Sequence, residues 1–175
     1  GAGADIKKDF INHDIVALKN IDSVHDLNKY PWPWADNSID EVLASDVLEH
    51  LNDFITPMEE IYRILKPGGK TIIKVPYWNS SSASIDPTHK RGFHELTFSF
   101  FDPSKPYCKL RPYYTSARFT IISETFVLNP FQPYFKIPFI SNLKIKNKIS
   151  KKIIGFIGNT LNNIILDLEI ELKKI

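Results

Sequence analysis

The chain has 175 residues, 43% of them hydrophobic and 24% charged, and a formal net charge of +2 at pH 7. That length suits one domain with a sizeable buried core, here 1–175, and so small a charge does not point to a nucleic-acid surface. No apolar run approaches the roughly 18–20 residues of a membrane-spanning helix, the start from Gly1 to Asp9 lacks the apolar centre of a signal peptide, and the single Cys108 excludes an internal disulfide and a multi-cysteine zinc site. A cytoplasmic domain is expected, with Cys108 an inert thiol because nothing near it in sequence lowers a thiol pKa.

Phe10 to Leu18 reads as a strand, since Ile11, Ile15, Val16 and Leu18 are β-formers. Ser23 to Leu27 reads as a short second strand. Tyr30 to Ser38 carries two prolines and must be loop. Asp40 to Ser45 is a third strand around Val42-Leu43-Ala44. Ile55 to Leu65 is helical, with Met58, Ile61, Tyr62 and Leu65 at three- and four-residue spacing and Thr56-Pro57 at its start. Lys66-Pro67-Gly68-Gly69 stops it, and Lys70 to Pro76 is a fourth strand. Strands reached through helices argue for an α/β layered fold with a parallel sheet.

Trp78 to Arg91 reads as a long polar loop and His94 to Phe101 as a short helix. Phe119 to Leu128 is a strand with Phe119, Ile121, Ser123, Thr125 and Val127 on one face. Leu168 to Ile175 alternates apolar and charged residues and suggests a final antiparallel or edge strand. In the intervening stretch, Asn129 to Asp167, Ile145, Ile149, Ile153, Phe156, Ile157, Leu161 and Ile164 fall near helical spacing among Lys144, Lys146, Lys148, Lys151 and Lys152. A basic amphipathic helix over 144–165 either lies on a membrane surface or packs its stripe on its own sheet with the lysines in water. The second is expected.

Four segments carry residues that could do chemistry. Gly1-Ala2-Gly3 is a glycine pair that lets backbone amides approach a polar ligand, a weak signal alone. Asp14, at the first strand's carboxyl end, either accepts from a ribose diol or is a turn aspartate. Asp26, with Leu27, either meets an adenine edge or caps a turn. Ser45-Asp46-Val47-Leu48-Glu49-His50 follows the third strand, where open α/β sheets bind ligands, and Asp46, Glu49 and His50 could serve acid–base roles or be plain surface residues.

Asn12-His13-Asp14-Ile15, Val24-His25-Asp26-Leu27, Trp34 to Val42, Ala44 to Leu51 and Glu60 to Lys70 occur in order. Together they resemble class I S-adenosylmethionine-dependent methyltransferases of the type 11 kind, over roughly residues 1 to 77, in a compact subgroup with a short span between glycine loop and acidic residue. The resemblance implies a Rossmann-like three-layer α/β sandwich, with a mostly parallel sheet and an antiparallel last strand, that binds S-adenosylmethionine at the strand tips. By position, Gly1 and Gly3 would line the methionine part of the cofactor, Asp14 the ribose, and Asp26 and Leu27 the adenine. Ser45 and Asp46 would border the sulfonium, with His50 close by. Asp86 to Phe93 resembles a substrate-facing segment, so residues 78–117 are expected to face substrate and 118–175 to supply the remaining strands with the helical insert.

The acceptor is expected to be a small molecule or a glycan, with His89 or His50 as the base if a proton must leave. No metal ligand set is singled out. The resemblance also places a central strand ahead of the glycine loop, so that first central strand is expected to be missing, the sheet incomplete or rearranged and cofactor binding weakened. The alternative is a non-catalytic methyltransferase-like module that scaffolds a partner, through the basic segment Lys144 to Lys152.

Overall fold

The computed structural model describes residues 1–129 and 142–175. Its strands form two sheets. In the smaller, β1 (His13–Asp14) runs parallel to β2 (Ser23–Val24). In the larger, β3 (Ile39–Ser45), β4 (Leu65–Pro76), β7 (Ile165–Lys174), β5 (Phe119–Leu128) and β6 (Leu143–Ile145) stand side by side in that order. β3 and β4 pair in parallel from Glu41↔Lys70 to Ser45↔Lys74. β7 is antiparallel to both its neighbours, as expected of the last strand, but it lies inside the sheet rather than at an edge. Its charged alternation is satisfied there by ion pairs across strands, Lys70 to Glu171 at 2.9 Å and Lys144 to Glu169 at 2.7 Å, while Leu168, Ile170 and Leu172 enter the core.

Helix α1 (Ile55–Ile64) buries Met58, Ile61 and Ile64. Asp53 sits just ahead of it and accepts from the N–H groups of Ile55 and Thr56 at 3.2 and 2.8 Å, filling donors that a helix start leaves unpaired. The helix gives way at Leu65 directly to β4, which takes in Lys66–Gly69, read from sequence as a helix stop ahead of a strand at Lys70; Gly68 within it has φ +77°. α1, β4 and β7 meet Tyr77, Phe93, Phe98, Phe101 and Phe119 in the core.

Besides the place of β7 and the shortening of the second strand to Ser23–Val24, four sequence expectations change. Only His13–Asp14 of the segment from Phe10 to Leu18 is strand, and Ile11, Ile15, Val16 and Leu18 are exposed. Side chains compete with the ladder there: Asp14 accepts from Val16 N–H, and Asn12 bonds to Lys7, Phe10 and Asp22. The polar stretch from Trp78 contains a short helix, α2 (Ser81–Ile85), begun by Ser80, whose hydroxyl accepts from Ala83 N–H. β5 has an irregularity between Ile121 and Ser123 that leaves Ile122 exposed. The extra residue breaks the simple alternation, so Phe126 and Leu128 join Phe119 in the core.

The fourth change concerns the amphipathic helix, α4 (Lys148–Thr160), which follows the short α3 (Pro106–Leu110) and is capped by Asn147. The early part of its segment, residues 130–141, lies outside the described residues. α4 packs through Gly155 and Gly158 rather than through the whole of its stripe: a Cβ on Gly158 would stand 2.7 Å from Ile165 Cδ1. Ile149, Ile153 and Phe156 face solvent, at 73%, 56% and 75% exposure, while Ile157 is half-buried and Ile145 and Ile154 pack against the core, so only part of the apolar set packs on the sheet. The glycines win because they let the helix axis approach β7 closely, which turns Ile149, Ile153 and Phe156 outward. No helix among the described residues is long and apolar enough to cross a membrane.

Candidate functional site

The glycine loop folds back on β1. Ala2 N–H donates to His13 O at 2.6 Å, and Gly3 N–H donates to Asp14 Oδ2 at 2.9 Å. Gly3 has φ +53°, and a Cβ on Gly1 would lie 2.2 Å from Asp14 Oδ2, so neither position suits a side chain. Asp14 is nearly buried, yet the Gly3 N–H holds its carboxyl below the usual carboxylate range, burial opposing and the Val16 N–H assisting.

At the end of β2, Asp26 Oδ1 accepts from the backbone and side-chain nitrogens of Asn28 at 3.0 and 3.2 Å, which forms a turn and lowers its pKa. Leu27 packs against the core, and its carbonyl accepts from Trp32 Nε1. Asn28 Oδ1 accepts from Asn52 N–H at 2.8 Å, tying the loop after β2 to the one that follows β3.

β3 ends at exposed Ser45. Asp46 adopts φ +53°, donates its N–H to Lys74 O at 3.0 Å and reaches Lys74 Nζ at 3.2 Å. Lys74 also lies 3.2 Å from Asp167 on β7. Burial works against the Lys74 charge, but Asp167 and Asp46 outweigh it and raise its pKa. Asp167 is raised too, because its burial outweighs the pull of Lys74; the lysine side chain is 33% exposed and the aspartate 7%, so the aspartate carries most of the desolvation.

The reversal at Asp46 starts a single 3₁₀ turn, Leu48–His50. Leu48 points into the core, and Glu49 is carried in with it, at 0% exposure. Neither Glu49 oxygen receives a hydrogen bond from another residue. Burial pushes the Glu49 carboxyl up to about 7, with Asp46 adding to the rise and its own backbone and His89 opposing. The loop from Asp86 to Arg91 is clamped onto this turn: Lys90 N–H donates to Glu49 O at 2.8 Å, and Arg91 Nη2 donates to Leu51 O and Asn52 O at 3.1 and 2.8 Å. The clamp sets His89 Nε2 3.8 Å from Glu49 Oε1 and the His89 ring edge-on to the His50 ring, with centroids 4.6 Å apart. Burial, and then His89, lower the His50 pKa.

Of the residues singled out from sequence, the structure brings Gly1, Gly3 and Asp14 together at one strand tip, and His50 and His89 together beside Glu49. Ser45 and Asp46 lead into the second group. Asp26 serves its own turn. Thr88, which bonds to both His50 and Asp86, was not anticipated; the Asp86-x-Thr88 spacing, typical of an aspartate turn, is the signal that could have found it.

Gly92 holds the loop's far end. A Cβ there would meet Trp78 Cα at 2.5 Å, and Trp78 N–H and Phe93 N–H bond across the same contact, to Phe93 O and Pro76 O. Gly92→Ala is expected to lower stability by about 2 kcal/mol through this backbone clash, read as a shift in urea midpoint. An unchanged midpoint would show that the loop yields freely.

Residues 2–73 match the model of a family described as a methyltransferase domain. Two curated relatives are demethylmenaquinone methyltransferases. That of Oceanobacillus iheyensis is 38% identical over 55 residues, which are 31% of this chain and 23% of that protein. That of a Geobacillus species is 36% identical over the same extent. The match thus spans 23% of the length of these relatives. Among solved structures, a SAM-dependent methyltransferase from Archaeoglobus fulgidus superposes with a TM-score of 0.53 at 21% identity, over 89% of this chain and 68% of that one. A second, from Thermotoga maritima, gives 0.55 at 16% identity, over 89% and 65%. At these identities the likeness establishes the fold.

Proposed function

We propose that this chain, whose residues 2–73 carry the methyltransferase-domain pattern within a Rossmann-like methyltransferase fold, transfers a methyl group from S-adenosylmethionine to a small-molecule or glycan acceptor. The observation that carries the reading is the Asp14 cradle. Its two oxygens each take one backbone N–H, which leaves each a further lone pair for a diol, and the glycines beside it leave backbone where a side chain would block approach. That donor set fits the ribose end of the cofactor. Gly1 and Gly3 would hold its amino-acid end, Asp26 and Leu27 its adenine, and Ser45 and Asp46 its centre. When bound, the cofactor supplies a methyl group already activated on a sulfonium.

The protein's share is to bind and orient the acceptor and, where the acceptor must lose a proton, to receive it. His50 is suited to receive a proton because burial and the adjacent His89 keep it neutral to lower pH than a free imidazole. His89, on the clamped loop, is the second base candidate. A quinone-like acceptor is one small-molecule option, drawn from the printed function of the two curated relatives.

Titration calorimetry with S-adenosylmethionine and S-adenosylhomocysteine tests this. Asp14→Ala is expected to weaken both by roughly tenfold or more, the loss of about two charge-assisted hydrogen bonds. His50→Ala and His89→Ala should leave both affinities within about twofold while lowering turnover. Absence of cofactor binding would turn the reading to a non-catalytic module, for which the exposed Ile149, Ile153 and Phe156 on α4 offer a docking face.

A further inference from the structure

We propose that Glu49, His50 and His89 form a binding site for one divalent cation of the zinc or manganese class. One carboxylate oxygen and two imidazole nitrogens from these residues lie within 4.8 Å of one another. Bonds of about 2.0–2.2 Å to a common ion draw such donors to roughly 3.0–3.5 Å apart, so side-chain adjustments of about an ångström close the site.

Three further features point to a cation. Glu49 is completely buried, and neither of its oxygens accepts a hydrogen bond from another residue. A buried carboxylate without a donor is costly, and a bound cation removes that cost. His89 Nδ1 is likewise buried without a hydrogen bond, and its Nε2 stands 3.8 Å from Glu49 Oε1, too far for a hydrogen bond, so the ring is not tied to another group through either contact. The basic side chains of the neighbouring elements are engaged elsewhere: Lys90 with Asn52, Arg91 with backbone carbonyls, and Lys74 with Asp46 and Asp167.

The surroundings also prepare His50. Thr88 N–H and O–H both donate to Asp86 Oδ1, at 2.8 and 2.6 Å. With its proton committed to Asp86, the Thr88 oxygen can only accept from His50 Nδ1, 2.9 Å away. His50 is therefore the Nδ1–H tautomer, and the lone pair of Nε2 is left for a metal. Fixing a ligand ring through its other nitrogen is the usual outer support of a metal-bound histidine. Two imidazoles and one carboxylate suit zinc, manganese, iron or cobalt over magnesium or calcium, and three protein ligands leave room for water or another molecule on the ion. The competing account is a bare ion pair between Glu49 and protonated His89; at 3.8 Å it lacks a hydrogen bond, and it leaves the Asp86–Thr88–His50 chain without a purpose. The proposal does not depend on methyl transfer: His50 and His89 are proton acceptors in the metal-free protein and ligands in the metal-bound one, and the test reads the metal directly.

The test is titration of the chelator-stripped protein with Zn²⁺ against an indicator dye, and with Co²⁺ by its visible absorption. One equivalent is expected to bind, with Mg²⁺ at least roughly 100-fold weaker. Glu49→Gln and His89→Ala should each weaken Zn²⁺ by roughly 100-fold and bleach the Co²⁺ band, Thr88→Val should weaken it by about tenfold, and His94→Ala should change nothing. Thermal melts confirm that each variant is folded. No stoichiometric binding by the wild type, binding that survives both Glu49→Gln and His89→Ala, or equal affinity for Mg²⁺ would overturn the proposal.

Discussion

Lys174→Met is expected to destabilise the fold by about 3 kcal/mol, the sum of unpaired acceptors and a lost helix-end cation. Lys174 ends β7 almost fully buried, and its ammonium donates to Tyr62 O, Leu65 O and Asn37 Oδ1 at 2.6, 2.7 and 2.7 Å. It also stands 4.4 Å from the centre of the Tyr62 ring. Tyr62 lies in the last turn of α1 and Leu65 is its C-cap and the first residue of β4, so both carbonyls belong to the helix end, where no partner within the helix is available. One side chain thus closes the end of α1, the turn into β4 and the loop at Asn37. Methionine keeps the apolar stem but strands these oxygens. Urea denaturation at pH 7 reads the loss as a lower midpoint with an unchanged slope. A loss below about 1 kcal/mol would mean that water replaces the ammonium with little penalty.

The second large effect is a gain. In chelator-containing buffer, Glu49→Gln is expected to stabilise the protein at pH 8 by about 3 kcal/mol and to leave stability almost unchanged at pH 4. The sign follows from burial. The folded-state pKa of Glu49 is raised from 4.5 to about 7, so between those values the folded protein binds more protons at this position than the unfolded chain. Wild-type stability therefore falls as pH rises through that window and is flat, for this residue, above it. Glutamine has no charge to desolvate, so the difference between the two proteins opens across the same window. Urea midpoints at half-unit pH steps trace it. A glutamine variant less stable than wild type at pH 8 would mean that the carboxylate is held by donors in the apo protein, and that burial does not dominate.

The central part of the fold was legible because its signals are local. Met58, Ile61, Tyr62 and Leu65 recur at helical spacing, and β3 and the part of β4 from Lys70 are runs of β-formers with one obvious order, although β4 reaches back to Leu65 through the segment read as a helix stop. The rest depended on contacts that no local pattern encodes. Phe10 to Leu18 looks like a strand, yet Asn12 and Asp14 spend their side chains on the backbone and shorten it to His13–Asp14. The stripe on α4 has the right spacing for packing, but Gly155 and Gly158 offered a closer approach on another face. His50 and His89 were each readable as reactive residues. Their meeting rests on two clamps, Lys90 N–H to Glu49 O and Arg91 to the carbonyls of Leu51 and Asn52, which involve backbone atoms invisible to residue type. Glu49 read either as an acid–base residue or as a plain surface acid, and its burial was not legible because the tight turn that drags it inward behind Leu48 is too short to leave a periodic trace.

The place of β7 bears on how the chain is made. Among the described residues it follows every other strand in sequence, yet it joins β4 to β5. During synthesis on the ribosome, β4 and β5 emerge well before the strand that bridges them, and each presents an unpaired edge lined with Ile72, Ile73, Ile121 and Phe126. Nascent chains of this topology spend that interval open to strand pairing with one another. Their yield should depend on holdase chaperones and on the rate of elongation more than the stability of the finished sheet would suggest.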